Sequence, residues 1–488
     1  MRSWLIIVCC LQWAMSWASA TYIEYTPEAR QAYDAIMELR FDEAETYVQT
    51  IKSQQTNNLV VDHLENYLDF LKVYIAEDEA AFHRAEARKN ARLTRIEKSD
   101  KNSPYHLYLQ ADIRLQWAIA RIQFEEWFGA FRDINQAFKL LEENARHYPD
   151  FMPNKKNLGV LHAIVSALPS SVELVSSLEG DFQKGTCELR EVLNYAQQND
   201  FIFERETYIL YAYVLLQFGD NPDEAWRVLQ RSSLNAKSDP AAAFILSTIA
   251  MKSGRNDRAI SMLQQRPRHS SFHPFPYLDF LLGKAKLHRL DSDADTYFKK
   301  YLANFKGRNY VKESYRLLAW HELVQGNPSD YNNYISKVKK YGHANIGADE
   351  SALTEANSGV IPNVTVLKAR LLFDGAYFDR AYALLSKKSA KDFKAKKTIL
   401  EYHYFLGRCT HSMQRYEEAL QHYATVIRKG EDASWYYACR AALESGHIYE
   451  KQGKKSAARK AYERCLSIRP KEHRYTLHQQ AKAGLSRL

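Results

Sequence analysis

Two stretches near the C-terminus carry the same punctuation at a fixed offset. Gly407 and Gly446, Ala419 and Ala458, and Tyr423 and Tyr462 are each separated by 39 positions. Three coincident offsets of this kind mark an internal repeat, and a repeat of this length is one supersecondary unit that must stack on its neighbours to bury its apolar face. The spacing of small and aromatic residues within each copy is helical rather than alternating, so the unit reads as a hairpin of two helices. Small residues at Gly407, Ala419, Gly446 and Ala458 let the two helices approach, with Gly407 expected to face Ala419 and Gly446 to face Ala458. Tyr423 and Tyr462 are expected to fill the space between one hairpin and the next. Pro470 ends the second copy, because it lacks an N–H and disfavours helix at the residue before it.

The run Gly446, Tyr449, Gly453, Ala458, Tyr462 and Pro470 resembles the tetratricopeptide repeat. It departs from the pattern in two ways. The offset exceeds the usual ~34 residues, with the extra residues around Gly430 to Trp435, and Ser445 stands where Leu is preferred. The resemblance implies an all-α chain, a right-handed α-solenoid of antiparallel helix hairpins. It also implies a non-enzymatic protein-binding scaffold that needs no cofactor and no metal.

The same rhythm runs back along the chain. Thr26-Pro27-Glu28 is a helix start, with a hydroxyl cap, a proline in the first turn and an acid at the positive end. Hairpins follow with small crossing residues at Ala44, Ala225, Ala259, Ala294 and Ala381, and Pro149 and Pro153 are expected to close the helix before them. The stretch from Asn157 to Gly185 differs, with Leu158-Gly159, Leu168-Pro169, a second apolar run Val172 to Leu178, and Gly180 and Gly185 in a turn. It loosely resembles the repeat-39 type of tetratricopeptide protein. The expected organisation is a signal segment over 1–20, N-terminal hairpins over 21–150, divergent hairpins over 151–340, an irregular loop over 341–363, and C-terminal repeats over 364–488.

Residues 1–20 combine one basic residue, a short apolar run from Leu5 to Leu11 and a small-residue end, Ala18-Ser19-Ala20. That pattern reads as a secretory signal cleaved after Ala20, or else retained as an anchor. The expected location is the periplasm in a bacterium or the secretory pathway in a eukaryote. No later segment has the unbroken apolar length of a membrane span. With 67 basic against 58 acidic residues, a formal charge of +9, the two signs are interleaved with no basic arm. The balance excludes a nucleic-acid binder and leaves room for peripheral association with acidic surfaces.

Patterns of catalysis are missing: no phosphate loop, no GxSxG and no HExxH. His321-Glu322 begins like a zinc helix, but Gln325 stands where a second His belongs. His269 and His273 flank a short segment with no third ligand. Cys187, Cys409, Cys439 and Cys465 form no CxxC pair. If Gly446 opposes Ala458, Cys439 opposes Cys465, either as a disulfide or as two buried thiols.

In tetratricopeptide arrays the first helix of each hairpin lines a concave groove. Carried onto the last two repeats, the resemblance puts Glu401, Tyr404, Arg408, His411, Arg440, His447 and Glu450 along that groove, with Tyr and Arg suited to protein hot spots. Repeats that clamp a C-terminal carboxylate use Lys and Asn there, whereas this chain has Tyr404, Arg408, Arg440 and Glu444. A carbohydrate- or lipid-binding protein using aromatic groove residues is the other reading.

Overall fold

The computed structural model describes residues 21–166 and 180–488. The expected signal segment and the run from Leu168 to Leu178 lie outside the described residues. Among the described residues the secondary structure is helical throughout, apart from one isolated bridge between Tyr22 and Asn58.

The chain forms two compact units. One reaches Ile249 and includes Arg266–Phe275; the other holds Ala250–Gln265 and Pro276–Leu488. The first contains the hairpins α1 (Pro27–Met37) with α2 (Phe41–Gln54), α3 (Val60–Ala76) with α4 (Glu79–Ile96), and α5 (Pro104–Gln123) with α6 (Trp127–His147). It continues with α7 (Met152–Ser166), α8 (Phe182–Ala196), α9 (Glu204–Gln217), α10 (Pro222–Gln230) and most of α11 (Pro240–Lys252). The second holds α12 (Asn256–Gln265), α13 (Tyr277–Arg289) with α14 (Ala294–Asn304), and α15 (Val311–Gln325) with α16 (Pro328–Lys340). Then come α17 (Gly347–Ser358), α18 (Val364–Asp374) with α19 (Phe378–Leu385), and α20 (Lys396–Ser412) with α21 (Tyr416–Gly430). The last elements are α22 (Tyr437–Lys451) with α23 (Lys455–Ser467), and a final helix α24 (Arg474–Arg487). The division falls inside α11, not at residue 150 or 340. Where each hairpin buries its apolar face on the next, no change in composition marks a boundary.

The hairpins share one turn. A single residue of positive φ separates the two helices at Leu39, Glu77, Glu125, Leu290, Gly326, Ala376, Gln414 and Gly453. Glycine takes this conformation freely, and other residues pay roughly 1–2 kcal/mol for it. Beyond the turn comes a fully buried alanine, as at Ala44, Ala294, Ala381, Ala419 and Ala458. Thr26 caps α1 as expected, its Oγ1 accepting from the Ala29 N–H at 3.4 Å.

Four details differ from expectation. The segment 341–363 is not a continuous loop, because α17 occupies its middle. Its buried face consists of Ala352 and Ala356 packed near Val338 and Ile335, too small to show as a period. Asp349 in its first turn accepts the N–H groups of Tyr310 at 2.6 Å and Glu313 at 2.8 Å, capping α15 from a distance. Pro153 opens α7 rather than closing α6, since the first turn of a helix needs no N–H there. Gly185 lies inside α8, not in a turn, and the α7–α8 crossing brings backbone to backbone there. A Cβ on Gly185 would stand 2.4 Å from the Gly159 carbonyl oxygen.

The fourth concerns the repeat itself. The space above Gly407 is filled by the Tyr423 ring, whose Cε1 would lie 2.6 Å from a Cβ there. Over Gly446 the Tyr462 Cε1 would lie at 2.3 Å. The tyrosines therefore pack on the glycine of their own hairpin. Tyr462 also reaches the next helix, since a Cβ on Gly484 would meet its Cζ at 2.5 Å. Gly283 and Phe298 repeat the arrangement at 3.0 Å.

Candidate functional site

The first helices of the second unit's hairpins present a column of cationic and aromatic side chains. Arg370, Arg408 and His447 take equivalent places on α18, α20 and α22, 38 and 39 positions apart, in step with Ala369, Gly407 and Gly446. Upstream, α13 adds Lys284 and α15 adds Arg316.

At the C-terminal end the column closes on Glu444, a buried carboxylate on α22. Arg440 donates to it at 2.7 Å, and Arg408, His411 and His447 stand at 3.5, 3.5 and 3.6 Å. Burial pushes the Glu444 carboxyl up, but the Arg408 charge, the His447 hydrogen bond and the Arg440 charge overcome it and hold it well below the usual carboxylate range. Arg408 also donates to the Tyr404 hydroxyl at 2.9 Å and lies over the Phe373 ring at 4.9 Å. One buried anion thus orders four basic side chains.

Further along, Trp320 lies between two guanidinium groups, with Arg316 at 4.7 Å and Arg370 at 4.8 Å from its ring, and its indole N–H donates to Glu355 at 2.7 Å. Asp374, near Arg370, is pushed up by burial. Burial likewise pushes Lys284 down, against the charges of Glu313 and Asp374. His288, one turn on, is driven down to about 3 by burial and by the charges of Lys284, Arg370 and Lys252. Its Nδ1 is buried without a hydrogen-bond partner. A neutral, buried imidazole ringed by three cations marks a region of positive potential.

The seven expected groove residues divide. Arg408, His411, Arg440 and His447 come together on Glu444. Tyr404 is only 4% exposed and belongs to the core. Glu401 accepts from the Tyr437 hydroxyl at 2.6 Å, and burial raises its carboxyl. Glu450 binds Arg487 of α24 at 2.8 and 2.9 Å and accepts from Tyr462, and these contacts hold it down to about 2. Tyr404, Glu401 and Glu450 are thus engaged within the fold. Among the other repeat positions, Tyr449 packs on the last core cluster, and Gly453 takes φ +70° at its turn. Cys439 and Cys465 face each other as expected, with sulfurs 3.4 Å apart as thiols. The His269–His273 segment serves packing: the His273 N–H donates to the Leu39 carbonyl at 2.7 Å and its ring lies 4.7 Å from Phe41.

Sequence reading missed a second cluster, in the first unit. Lys156 on α7 is fully buried and donates to Glu206 at 2.5 Å. Glu206 also accepts from Tyr33 at 3.0 Å and Tyr67 at 3.1 Å. Asp112 accepts from His63 Nε2 at 2.8 Å, Gln116 at 2.7 Å and Asn157 at 2.7 Å. With Nε2 donating, His63 Nδ1 accepts from the Tyr25 hydroxyl at 2.5 Å. Burial raises Asp112, and the Lys156 charge with the His63 hydrogen bond returns it well below the usual carboxylate range. Each of α1, α3, α5, α7 and α9 gives a side chain to this network. Asp112 and Lys156 are buried, Glu206 is part-buried, and all three are matched by partners, so the network locks helices together. The signal in the sequence is weak, since Lys156-Asn157 follows Asn154 and Lys155 at the polar start of α7.

No helix among the described residues is long and apolar enough to cross a membrane. A cleft of about 430 Å³ lies among α8, α9 and α10, lined by Arg190, Asn194, Tyr208, Tyr211 and Glu224 among others.

Residues 440–472 match the tetratricopeptide repeat family. No curated protein matches the chain. Among solved structures it is similar to a chain of "Structure of Naa15/Naa10 bound to HypK-THB", at 14% identity over 95% of this chain and 66% of that one, with a TM-score of 0.26. It is also similar to a chain of the "APC/C hetero-tetramer Cut9-Hcn1", at 12% identity over 94% of this chain and 97% of that one, with a TM-score of 0.25. At such scores neither likeness carries an inference. The match over 440–472 covers α22 and α23, which form a tetratricopeptide repeat, and their glycine, turn and ring geometry recurs in the hairpins before them.

Proposed function

We propose that the chain is a non-enzymatic protein-interaction scaffold of an exported compartment, periplasmic or secretory, and that the cationic column of its second unit receives an acidic segment of a partner. The observation that supports this most is the gathering of Lys252, Lys284 and Arg370 around the neutral, buried imidazole of His288, with Asp374 beside Arg370 at 3.8 Å. Asp374 and Glu401, pushed up by burial, ionise less readily than usual and compensate less. An extended acidic segment would lie against these cations, with Arg408 and Arg440 already set in place by Glu444. Desolvated contacts of this kind contribute to affinity and to partner choice.

Fluorescence anisotropy with labelled acidic, neutral and basic peptides of equal length tests the reading. The acidic peptide should bind most tightly and weaken with salt. Lys252→Glu, at an exposed position, should weaken it further. Equal binding of the basic peptide sinks the proposal. Cell fractionation with and without residues 1–20 tests export. A carbohydrate- or lipid-binding groove has less support, because Tyr404 is buried and Tyr437 is tied to Glu401. Peripheral membrane contact rests on a different place, the α5–α6 turn, where Trp127 and Phe128 are 51% and 70% exposed beside Ile119 and Ile122. Cosedimentation with anionic vesicles, lost in Phe128→Ser, would support it.

A further inference from the structure

We propose that Asp295, His321 and Glu322 form a divalent-cation site, for which zinc is the best-suited ion. Asp295 lies in the first turn of α14, and His321 and Glu322 lie near the end of α15. One ligand atom from each falls within 4.8 Å of the others. The sequence motif failed because it looked for a second histidine on the same helix; the third donor comes from the preceding hairpin.

The hydrogen bonding around His321 fixes which nitrogen is available. Nε2 lies 3.0 Å from the Ser292 carbonyl oxygen. A carbonyl only accepts, so Nε2 carries the proton and Nδ1 carries the lone pair. Nδ1 is buried with no hydrogen-bond partner, on a residue only 4% exposed. A Glu322 oxygen stands 3.9 Å from it. A lone pair facing a carboxylate with no proton between them is an arrangement that a cation relieves.

The outer contacts are arranged for the same purpose. Asn327 donates to Glu322 Oε2 at 3.0 Å, and Lys299 donates to Asp295 Oδ2 at 2.6 Å. Each carboxylate is held by one oxygen; the other of Glu322, Oε1, lies 3.9 Å from Nδ1, whereas that of Asp295, Oδ1, lies 4.0 Å from Nε2, so Asp295 has to turn toward Nδ1 to join the ion. A ligating histidine commonly donates its second N–H to a carbonyl, as His321 does to Ser292. Zinc bonds to nitrogen and oxygen run about 2.0–2.2 Å, which sets two tetrahedral ligand atoms roughly 3.4 Å apart. The 3.9 Å gap closes to this with a shift of about half an ångström. One imidazole and two carboxylates suit zinc and leave a fourth position for water or a partner's side chain. The ion would clamp α14 to α15, joining two successive hairpins.

The alternative is a doubly protonated imidazole lying between the two acids. Calorimetric titration of the untagged full chain with zinc chloride at pH 7.5, and thermal unfolding with zinc or with a chelator, separate the two. One ion per chain and a raised Tm are expected, with binding at least tenfold weaker in Glu322→Gln and in Asp295→Asn. Cobalt(II) in place of zinc should give the visible absorption of a tetrahedral N/O site, lost in His321→Gln. If His321→Gln does not fold, the two carboxylate variants still decide. The proposal is overturned if no stoichiometric binding appears, or if binding is unchanged in Asp295→Asn and Glu322→Gln.

Discussion

Replacing Gly446 by alanine puts two effects of opposite sign in competition. Gly446 lies inside α22, where alanine is ordinarily the better helix former by about 1 kcal/mol. With no steric conflict, Gly446→Ala would stabilise the chain. The added Cβ, however, would stand 2.3, 2.5 and 2.9 Å from Cε1, Cδ1 and Cζ of Tyr462. Ordinary contact is farther out, so the ring would have to move by about 1 Å or more. It has little freedom to do so. Tyr462 is fully buried, its hydroxyl is bonded to Glu450, and Gly484 closes its other side. Overpacking of this kind costs roughly 1–3 kcal/mol, and here the upper part of that range applies. The net expectation is destabilisation by about 1–2 kcal/mol once the helix gain is set against it. A chain of two units need not unfold in one step. Hydrogen exchange read on peptides from α22, α23 and α24 is therefore the assay of choice, with urea unfolding as support. Gly347→Ala is the control, since nothing lies within 4 Å of that Cβ position; it should be neutral or slightly stabilising. Gly446→Ala/Tyr462→Leu should cost less than the sum of the single changes, because the smaller side chain yields space. If Gly446→Ala protects α22 as well as the parent does, the glycine–ring account of the repeat is wrong.

Three other outcomes follow from the buried charges and thiols. Lys156→Met strands Glu206 and Asp112 in the core of the first unit and should cost about 3–5 kcal/mol, read as loss of exchange protection in α5, α7 and α9; a change under about 1 kcal/mol would refute a locking role. His288 is held down to about 3 against an ordinary 6.5, so the unfolded chain takes up its proton first. The stability this gives is complete above about pH 6.5 and is lost as pH falls toward 3, by roughly 2–3 kcal/mol at pH 4.5. His288→Gln should flatten that slope in denaturant titrations between pH 7 and 4.5, and an unchanged slope would remove His288 from the account. Mild oxidation with diamide should join Cys439 to Cys465 and leave two of the four thiols Cys187, Cys409, Cys439 and Cys465 open to alkylation after unfolding. Four reactive thiols would count against the pairing.

Much of this architecture is legible in the sequence because a stacked array writes the same steric demand at a fixed period. Gly407 and Gly446 announce themselves by recurrence, and the opposition of Cys439 and Cys465 follows from the register they set. The partner of each glycine was less visible. Period alone does not say whether a small residue faces another small residue or a ring, and in α20 and α22 it is the ring. Helix α17 escaped notice because Ala352 and Ala356 suffice to bury a short helix without a row of large apolar residues. Among the groove candidates, which side chain is spent inside the fold depends on contacts far along the chain. Glu450 is taken by Arg487 of α24, and Tyr404 is taken by the core.

The two units treat the same face differently, and this separates architecture from binding. In the first, Lys156 is matched by Glu206, and Asp112 by His63, Gln116 and Asn157, so desolvated charge is neutralised within the unit. Such a network is costly to break and has no use for a partner. In the second, Arg408, His411, Arg440 and His447 gather on the single carboxylate of Glu444, and the buried Nδ1 of His288 has no hydrogen-bond partner. Cations that share one carboxylate repel one another, a cost to folding that a bound counter-charge reduces. The stability of the second unit should therefore rise with any anionic ligand that reaches Lys284, while that of the first stays unchanged, and this difference in linkage distinguishes a binding face from one that only holds the hairpins together.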